Sequence, residues 1–219
     1  MRKIRLFYKK LGRSVYISHL DIMRTFQRSL KRAGVDVKHT EGFNPHPYIS
    51  IALPLSLGFN GECEFLDMVV LDDMPCEEIV SRLNDALPEG IEAVKAYEGG
   101  RPVRDIAYSE YEISLEYDRG VSEDLKKALR ELFAREEIVV VKKSKRGELE
   151  TNIVPMIKKI EVIPSLDKVV IRCILAAGNT SLNPEYIVKA IEKYLPERKP
   201  DFAEFTRKNV LTENLEEFR

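Results

Sequence analysis

Residues 2–10 read RKIRLFYKK, and apolar side chains alternate with the others along this stretch. Ile4, Leu6 and Tyr8 fall on one side of an extended segment, and Gly12 can turn the chain after it. Alternation over four to eight residues is typical of a half-buried strand. The pattern therefore predicts a strand over residues 2–10, and the rest of the fold follows outward from it.

A capped amphipathic helix is predicted to follow this strand. Ser18 is the expected N-cap, because Asp21 stands three residues later in an arrangement like a capping box. Gly34 is the residue expected to end the helix. Apolar residues recur along one helix face at Ile22, Met23, Phe26, Leu30 and Ala33.

The remaining pattern of the first half predicts strands over 48–53, 63–71 and 91–97 and a helix over 77–86. The resulting order, β-α-β-β-α-β, is that of the ferredoxin-like split unit. Gly99-Gly100-Arg101-Pro102 then favours a domain boundary.

A similar order of elements recurs beyond the boundary. It consists of strands over 110–117, 138–143, 157–163 and 168–176 and helices over 123–135 and 184–194. Asn183 is the expected N-cap of the last helix, with Pro184 at its first position. The segment that contains Arg207 and Lys208 has too little periodicity to assign. We expect an α+β protein of two tandem ferredoxin-like (βαββαβ) halves with antiparallel sheets, over residues 1–99 and 104–219.

Composition restricts the class of protein. Of the 219 residues 44% are hydrophobic, which is ordinary for a globular chain. No apolar run is long enough to span a membrane, and the first residues lack the apolar core of a signal peptide. Cys63, Cys76 and Cys173 lack the paired spacing of a disulfide framework or a zinc knuckle. A cytoplasmic protein without a membrane partner is expected.

Charge is distributed unevenly along the chain. Residues 1–50 carry eleven Lys and Arg against three Asp and Glu, whereas residues 51–100 carry two against eleven. A concentrated basic block in a chain of net charge −1 favours a face that binds a polyanion such as nucleic acid. A dipolar surface that pairs internally, or that docks an acidic partner, is the alternative.

All three histidines, His19, His39 and His46, lie in the basic block. His46 stands in GFNPHP, residues 42–47, where two prolines restrict the backbone around it. This turn is expected to present Phe43, Asn44 and His46 in fixed directions for base stacking, base-edge hydrogen bonds or proton transfer. A rigid turn that only feeds the next strand is the alternative.

The candidate site residues follow from these patterns. The predicted nucleic-acid-binding residues are Arg24, Arg28, Lys31, Arg32, Phe43, Asn44 and His46. His19, Asp21 and His46 are the candidates for catalysis, although Asp21 is equally explained as part of a helix cap. No metal site is predicted, because no histidine pair has i, i+4 spacing. The basic segment KKSKRG, residues 142–147, favours a solvated hairpin tip, with a second phosphate contact as the alternative.

These motifs resemble the radical SAM-linked protein family, a bacterial domain of unknown function that is fused to, or encoded beside, B12-binding-type radical SAM proteins. The resemblance extends over nearly the whole chain, although the family more usually has Arg before Pro where this chain has Asn183. It is carried by Ser18-His19-Leu20-Asp21, Arg24, Arg32-Ala33-Gly34, Gly42–Pro47, Pro54-Leu55, Gly58, Glu64-Phe65, Leu83-Asn84, Leu87-Pro88, Gly90 and Ser181–Pro184. The resemblance implies association with a radical SAM protein encoded nearby and with ribosomal or transfer RNA.

The chain lacks the three-cysteine cluster that would ligate a radical SAM iron–sulfur cluster, so no cofactor is expected on it. The resulting hypothesis is an RNA-binding accessory module (for rRNA or tRNA) that works with a radical SAM enzyme in RNA modification. Two alternatives stay open. The chain could be an RNA-processing or RNA-modifying enzyme itself, either a histidine-dependent ribonuclease or an Asp21-dependent synthase, by fold analogy alone. It could instead be a protein-docking adaptor for the radical SAM partner.

Overall fold

The computed structural model describes residues 1–144, 147–165, 167–178 and 180–219, and it shows a mixed α+β structure with antiparallel strand pairs. The chain divides into two compact units. The first comprises Met1–Asp105 and Phe218–Arg219, and the second comprises Ile106–Glu217. Lys145 and Arg146, at the tip of the expected basic hairpin, lie outside the described residues.

The first unit contains four strands and two α-helices. They are β1 (Arg2–Lys10), α1 (His19–Arg32), β2 (Ile49–Ile51), β3 (Asn60–Val70), α2 (Cys76–Ala86) and β4 (Ile91–Glu98). The strands lie in the order β4-β1-β3-β2, and each neighbouring pair is antiparallel. The predicted order of elements in this half is confirmed.

The alternation in β1 decides which face of this sheet is covered. Ile4, Leu6 and Tyr8 are buried in one cluster with Phe26 of α1 and Ile79 of α2. The two helices therefore cover one face of the sheet, as burial of apolar area requires. The opposite face carries the remaining β1 side chains, and this face is important for the site described below.

The described residues of the second unit form six strands and two α-helices. They are β5 (Tyr108–Glu116), α3 (Glu123–Phe133), β6 (Val139–Ser144), β7 (Gly147–Asn152), β8 (Ile157–Pro164), β9 (Lys168–Ala176), α4 (Glu185–Tyr194) and β10 (Phe202–Leu211). Four of these strands lie in the order β10-β5-β9-β8, while β6 and β7 form a separate hairpin.

The sequence pattern did not indicate strand β7, and three further details differ from the expected elements. Strand β2 is shorter than residues 48–53, because the Tyr48 N–H donates to the Lys38 carbonyl at 2.7 Å rather than to the neighbouring strand. Helix α4 has Pro184 rather than Asn183 at its N-cap position, although Asn183 Oδ1 still accepts from the Glu185 N–H at 2.9 Å.

The third difference is β10, which the sequence pattern did not indicate. Its alternation is hidden because Arg207 is 2% exposed, so a charged residue occupies an inward position. The register with β5 also shifts between Arg207 and Asn209. A bulge of this kind changes which face the following residues occupy.

None of the described helices is both long and apolar enough to cross a membrane.

Candidate nucleic-acid interface

Helix α1 begins at a cap formed by three side chains. The Asp21 N–H donates to Ser18 Oγ at 3.2 Å, and the Ser18 hydroxyl donates to Asp21 Oδ2 at 2.7 Å. Arg24 Nη1 lies 3.0 Å from Asp21 Oδ1. The Ser18 hydrogen bond and the Arg24 guanidinium lower the pKa of Asp21. Both carboxylate oxygens of Asp21 are therefore engaged in the cap, which confirms the predicted start of the helix.

This cap predicts a specific pH dependence for stability. Because the folded-state pKa of Asp21 is lowered, its stabilising contribution is present above the ordinary carboxyl pKa and is lost as pH falls through the lowered value. The variant Asp21→Asn keeps a capping side chain but cannot titrate. We expect the wild type to lose more melting temperature than this variant between neutral and acidic pH. Parallel curves in thermal denaturation from pH 7 to pH 2 would contradict the prediction.

The predicted cationic face of α1 is exposed, but its four members differ. Arg24 pairs with Asp21, whereas Arg28 and Lys31 have no ion-pair partner within the described part of the chain. Arg32 is directed to the second helix, where Nη2 donates to the Ala86 carbonyl at 2.6 Å and to Ser29 Oγ at 3.1 Å. Arg28 and Lys31 are therefore the cations available to an outside ligand, while Arg32 caps the end of α2.

The segment that carries the second motif folds as a hairpin over residues 38–48, which we call the motif hairpin. The Tyr48 N–H donates to the Lys38 carbonyl at 2.7 Å, and the Thr40 N–H donates to the His46 carbonyl at 2.9 Å. His39 and Pro47 form an isolated antiparallel bridge between these bonds. The hairpin is thus held by backbone hydrogen bonds along its length, and its tip is residues 41–45.

Both histidines of the motif hairpin have a fixed ring orientation. His46 Nδ1 lies 3.0 Å from the Asn44 carbonyl oxygen, and His39 Nδ1 lies 2.9 Å from the Val37 carbonyl oxygen. Because a carbonyl oxygen only accepts, Nδ1 carries the proton in each ring and Nε2 is the acceptor of the neutral form. Among the described residues neither Nε2 has a partner, so each is open to a ligand.

The hairpin tip presents an aromatic ring to solvent. Phe43 is fully exposed, with a relative exposure of 105%. Gly42 precedes it with φ +123°, a backbone conformation that residues other than glycine rarely adopt. Asn44 and His46 are also exposed. A fully exposed ring on a hydrogen-bonded turn is available for stacking on a base or for contact with a protein.

The motif hairpin and the cationic helix face lie next to each other. Gln27 Nε2 is 3.4 Å from the Pro47 carbonyl oxygen. Lys31 and His39 line one cavity of about 310 Å³ together with Asp36 and Pro47. The structure therefore brings together Lys31, His39 and the hairpin strands, and it places the predicted phosphate-binding and base-binding groups on adjoining elements.

The three histidines do not form one site. His19 is the first residue of α1, whereas His39 borders Lys31, which is twelve residues further along that helix. At 1.5 Å per residue this separation is about 18 Å along the helix axis. His19 instead borders a small cavity together with Tyr8 and Lys10. In the described part of the chain no three His, Cys, Asp or Glu side chains are grouped as metal ligands.

Two residues that matter for this geometry were not singled out from the sequence. Thr40 fixes His46, since its Oγ1 accepts from the His46 N–H at 3.2 Å and lies 3.2 Å from His46 Nδ1. Tyr48 is 55% exposed at the base of the hairpin. The sequence signal that could have indicated Tyr48 is its position directly after the Asn44–Pro47 motif, in a segment where apolar and polar residues alternate.

Comparison with known families and structures identifies relatives of the chain. The model of a family described as "Uncharacterized protein conserved in bacteria (DUF2344)" matches residues 3–184. No curated protein matches the chain. The match confirms the expected bacterial family of unknown function, while the link to radical SAM proteins stays a prediction.

Comparison with solved structures gives matches of low sequence identity. A chain of a Cbf5-Nop10-Gar1 complex is 12% identical with a TM-score of 0.51, over 94% of this chain and 48% of that one. This chain thus spans about half the length of that relative. An unknown protein from Galdieria sulphuraria and the acetolactate synthase small subunit from Thermotoga maritima align over 94% of this chain and over 98% and 94% of their own. Their identities are 16% and 14%, each with a TM-score of 0.27.

Proposed function

We propose an RNA-binding role for this chain, which belongs to the DUF2344 family of uncharacterized proteins conserved in bacteria. In this proposal the chain is an accessory module that holds ribosomal or transfer RNA for a radical SAM enzyme during RNA modification. The chain itself contributes binding and orientation of the RNA.

The observation that carries the proposal is the combination of aromatic, polar and cationic groups at the motif hairpin and the adjoining face of α1. The motif hairpin carries a fully exposed Phe43 and two histidine Nε2 atoms that have no partner among the described residues. It adjoins helix α1, whose Arg28 and Lys31 have no ion pair in the described part of the chain. Single-stranded RNA is bound by aromatic rings that stack on bases, by polar groups at base edges and by cations at phosphates. This surface offers all three kinds of group on two adjoining elements.

The fold is part of the same proposal. The first unit has the order β-α-β-β-α-β, and the second has it too once the β6–β7 hairpin is set aside as an insertion. Both units also arrange their four sheet strands in the same relative order. We infer two tandem ferredoxin-like halves, an architecture that RNA-binding proteins use with the sheet face or the loops as the interface.

The proposal of a radical SAM partner rests on the resemblance of the sequence motifs to the radical SAM-linked family. The Ser18–Asp21 and Gly42–Pro47 motifs that carry this resemblance are the same residues that form the cap of α1 and the motif hairpin. An accessory role fits this coincidence, because the residues that carry the resemblance would then form the RNA-holding surface beside the partner enzyme. Co-purification of RNA with the two proteins together, and with this chain alone, tests the partnership.

A charge-matched pair of double variants tests RNA binding. Arg28 and Lys31 stand at i, i+3 on the exposed face of α1, and Lys127 and Arg130 stand at i, i+3 on that of α3. Both double alanine variants remove two positive charges. We expect only the α1 variant to weaken binding of a labelled single-stranded RNA. Its salt slope should fall by about 1.4, since each phosphate contact contributes about 0.7. Fluorescence anisotropy over a salt series measures both quantities.

The outcomes of this test separate the proposal from its alternatives. Equal losses in both double variants would show that net charge, rather than this surface, governs binding. Absence of RNA binding, together with loss of radical SAM partner capture in the α1 variant, would favour the docking adaptor. An RNA product formed by the purified chain and lost in His46→Ala would favour the enzyme, and mass spectrometry of total cellular RNA detects such a product.

A further inference from the structure

One cavity of the first unit lies on the sheet face that the helices leave open. Its volume is about 490 Å³. It is lined by Lys3 and Arg5 of β1, Asp67 and Val69 of β3, Tyr48 and Ser50, and the segment Gly99–Val103. Ligand-binding pockets typically measure about 300–1,000 Å³ and combine an apolar lining with a few fixed polar groups. The size and the mixed lining of this cavity therefore suit a ligand of nucleotide dimensions.

Strand register explains why these residues face one way. Ser50 pairs with Asp67, and Asp67 pairs with Arg5, so the three form a row across β2, β3 and β1. Ile49, which precedes Ser50, is buried on the helix-covered face. Tyr48 is therefore on the same face as Ser50, because side chains alternate along a strand.

The wall of the cavity is a preorganised ion pair. Arg5 is 4% exposed, and its Nε and Nη2 donate to the two Asp67 oxygens at 2.7 and 2.9 Å. Its Nη1 donates to the Arg101 carbonyl at 2.8 Å. Burial opposes ionisation of Arg5, but the Asp67 hydrogen bonds and charge leave its pKa raised. Asp67 thus neutralises the charge of Arg5, and Lys3 is an exposed cation at the cavity.

The segment after β4 closes one side of the cavity and depends on glycine. Gly100 has φ +119°, and a Cβ there would lie 2.8 Å from Arg5 Nη1. No larger residue could approach the buried guanidinium so closely without displacing it. The side formed by residues 99–103 is therefore set by the same Arg5 that forms the wall.

The usual stacking positions of a sheet that binds RNA are covered here. Phe7 and Phe65 lie on the two central strands with ring centroids 5.6 Å apart. Phe218 packs edge-on against Phe65 at 5.2 Å, and the Arg219 guanidinium lies 5.6 Å from the Phe7 ring. Phe65 is consequently only 3% exposed. Sheets that bind RNA commonly stack bases on aromatic rings of this kind. Here an incoming base must use another ring, and Tyr48 is the exposed aromatic side chain at the cavity.

We infer that this cavity binds one unpaired nucleobase of the RNA, stacked on Tyr48, with its phosphate near Lys3. The inference rests on the proposed RNA-binding function and names the class of RNA it takes, a single strand rather than a duplex. Tyr48 is five residues from Phe43, so their Cα atoms are at most about 18 Å apart. A strand held at the hairpin tip can therefore reach the cavity.

Matched tyrosine variants test the inference. The probe is a single-stranded RNA that carries the fluorescent base 2-aminopurine, whose emission falls on stacking. We expect Tyr48→Ala to weaken binding about tenfold or more and to remove the quenching, while Tyr48→Phe keeps both. Tyr16→Ala removes a ring outside the cavity that is more exposed than Tyr48, 75% against 55%, and should leave both unchanged. Melting temperatures of all three variants should match the wild type, because both rings are largely in solvent.

The outcomes distinguish the cavity from the overall function. Wild-type affinity and quenching in Tyr48→Ala, with loss of affinity in the Arg28 and Lys31 double variant, would overturn the base site and leave RNA binding intact. A parallel titration with the four nucleoside monophosphates covers the case in which no RNA binds. Monophosphate binding that Tyr48→Ala abolishes would support the cavity without the RNA function. Absence of both RNA and monophosphate binding would overturn both.

Discussion

Phe43→Ala is expected to weaken binding of single-stranded RNA by roughly five- to 150-fold, with the melting temperature unchanged. Stacking of one base on an aromatic ring contributes about 1–3 kcal/mol by alanine substitution, and each 1.4 kcal/mol is a factor of ten. Phe43 is fully exposed, so the ring contributes nothing to the core that its removal could disturb. Fluorescence anisotropy gives the affinity, and thermal denaturation gives the stability.

Two controls make this prediction specific. Phe43→Trp keeps a stacking surface and should retain affinity. Phe202→Ala removes a largely exposed phenylalanine of the second unit and should have no effect on RNA. Unchanged RNA affinity in Phe43→Ala, together with loss of radical SAM partner capture, would instead identify the tip as a protein-docking element.

The local parts of the site could be predicted from the sequence because local chemistry determines them. The Ser18 cap of α1 depends on residues within one turn, and it forms as expected. The exposure of Phe43, Asn44 and His46 follows from Gly42 and the flanking prolines over six residues. Turn and cap signals of this kind act within a few residues, so one sequence is sufficient to read them.

The features that the sequence did not predict depend on contacts between residues that are distant in the chain. Arg5 and Asp67 are separated by 62 positions, and no pattern in either segment indicates that they pair. Their pairing requires the register of β1 against β3, which a single sequence does not specify. The cavity beside Tyr48 depends on the same register. Strand β10 was not predicted for a related reason, because the buried charge of Arg207 breaks the expected alternation of apolar and polar residues.

The count of charged residues also predicted only part of the binding surface. Some of the basic excess of residues 1–50 is neutralised by the acidic block that follows, since Arg2 pairs with Glu98 and Arg5 pairs with Asp67. The internal pairing offered as an alternative therefore occurs for these two arginines of β1. It does not extend to Arg28 or Lys31, which have no ion pair in the part of the chain that the structure describes. Of the eleven cations, the proposed interface thus uses two on one face of α1, and the inferred base site adds Lys3 of β1.

Asp67→Ala is expected to lower the free energy of unfolding by about 2–3 kcal/mol. Removing the carboxylate leaves two N–H groups of Arg5 without their acceptors, while Nη1 keeps the Arg101 carbonyl. Breaking a fully buried pair costs about 3–5 kcal/mol. The expected loss is smaller here because Asp67 is 34% exposed and the cavity admits water to the guanidinium. Urea denaturation monitored by circular dichroism measures the difference.

Glu98→Ala is the matched control, because it breaks the Arg2–Glu98 pair of the same sheet at the same 2.7 Å separation. Glu98 is 60% exposed, and a surface pair contributes about 0–1 kcal/mol. Arg5→Met combined with Asp67→Leu should recover part of the loss of Asp67→Ala, since apolar replacement of both partners leaves no unpaired charge. Equal losses in Asp67→Ala and Glu98→Ala would show that the Arg5–Asp67 pair is no more than a surface contact. The rigid cavity wall inferred from it would then be wrong, because a guanidinium free to leave its position could not shape a site for one base.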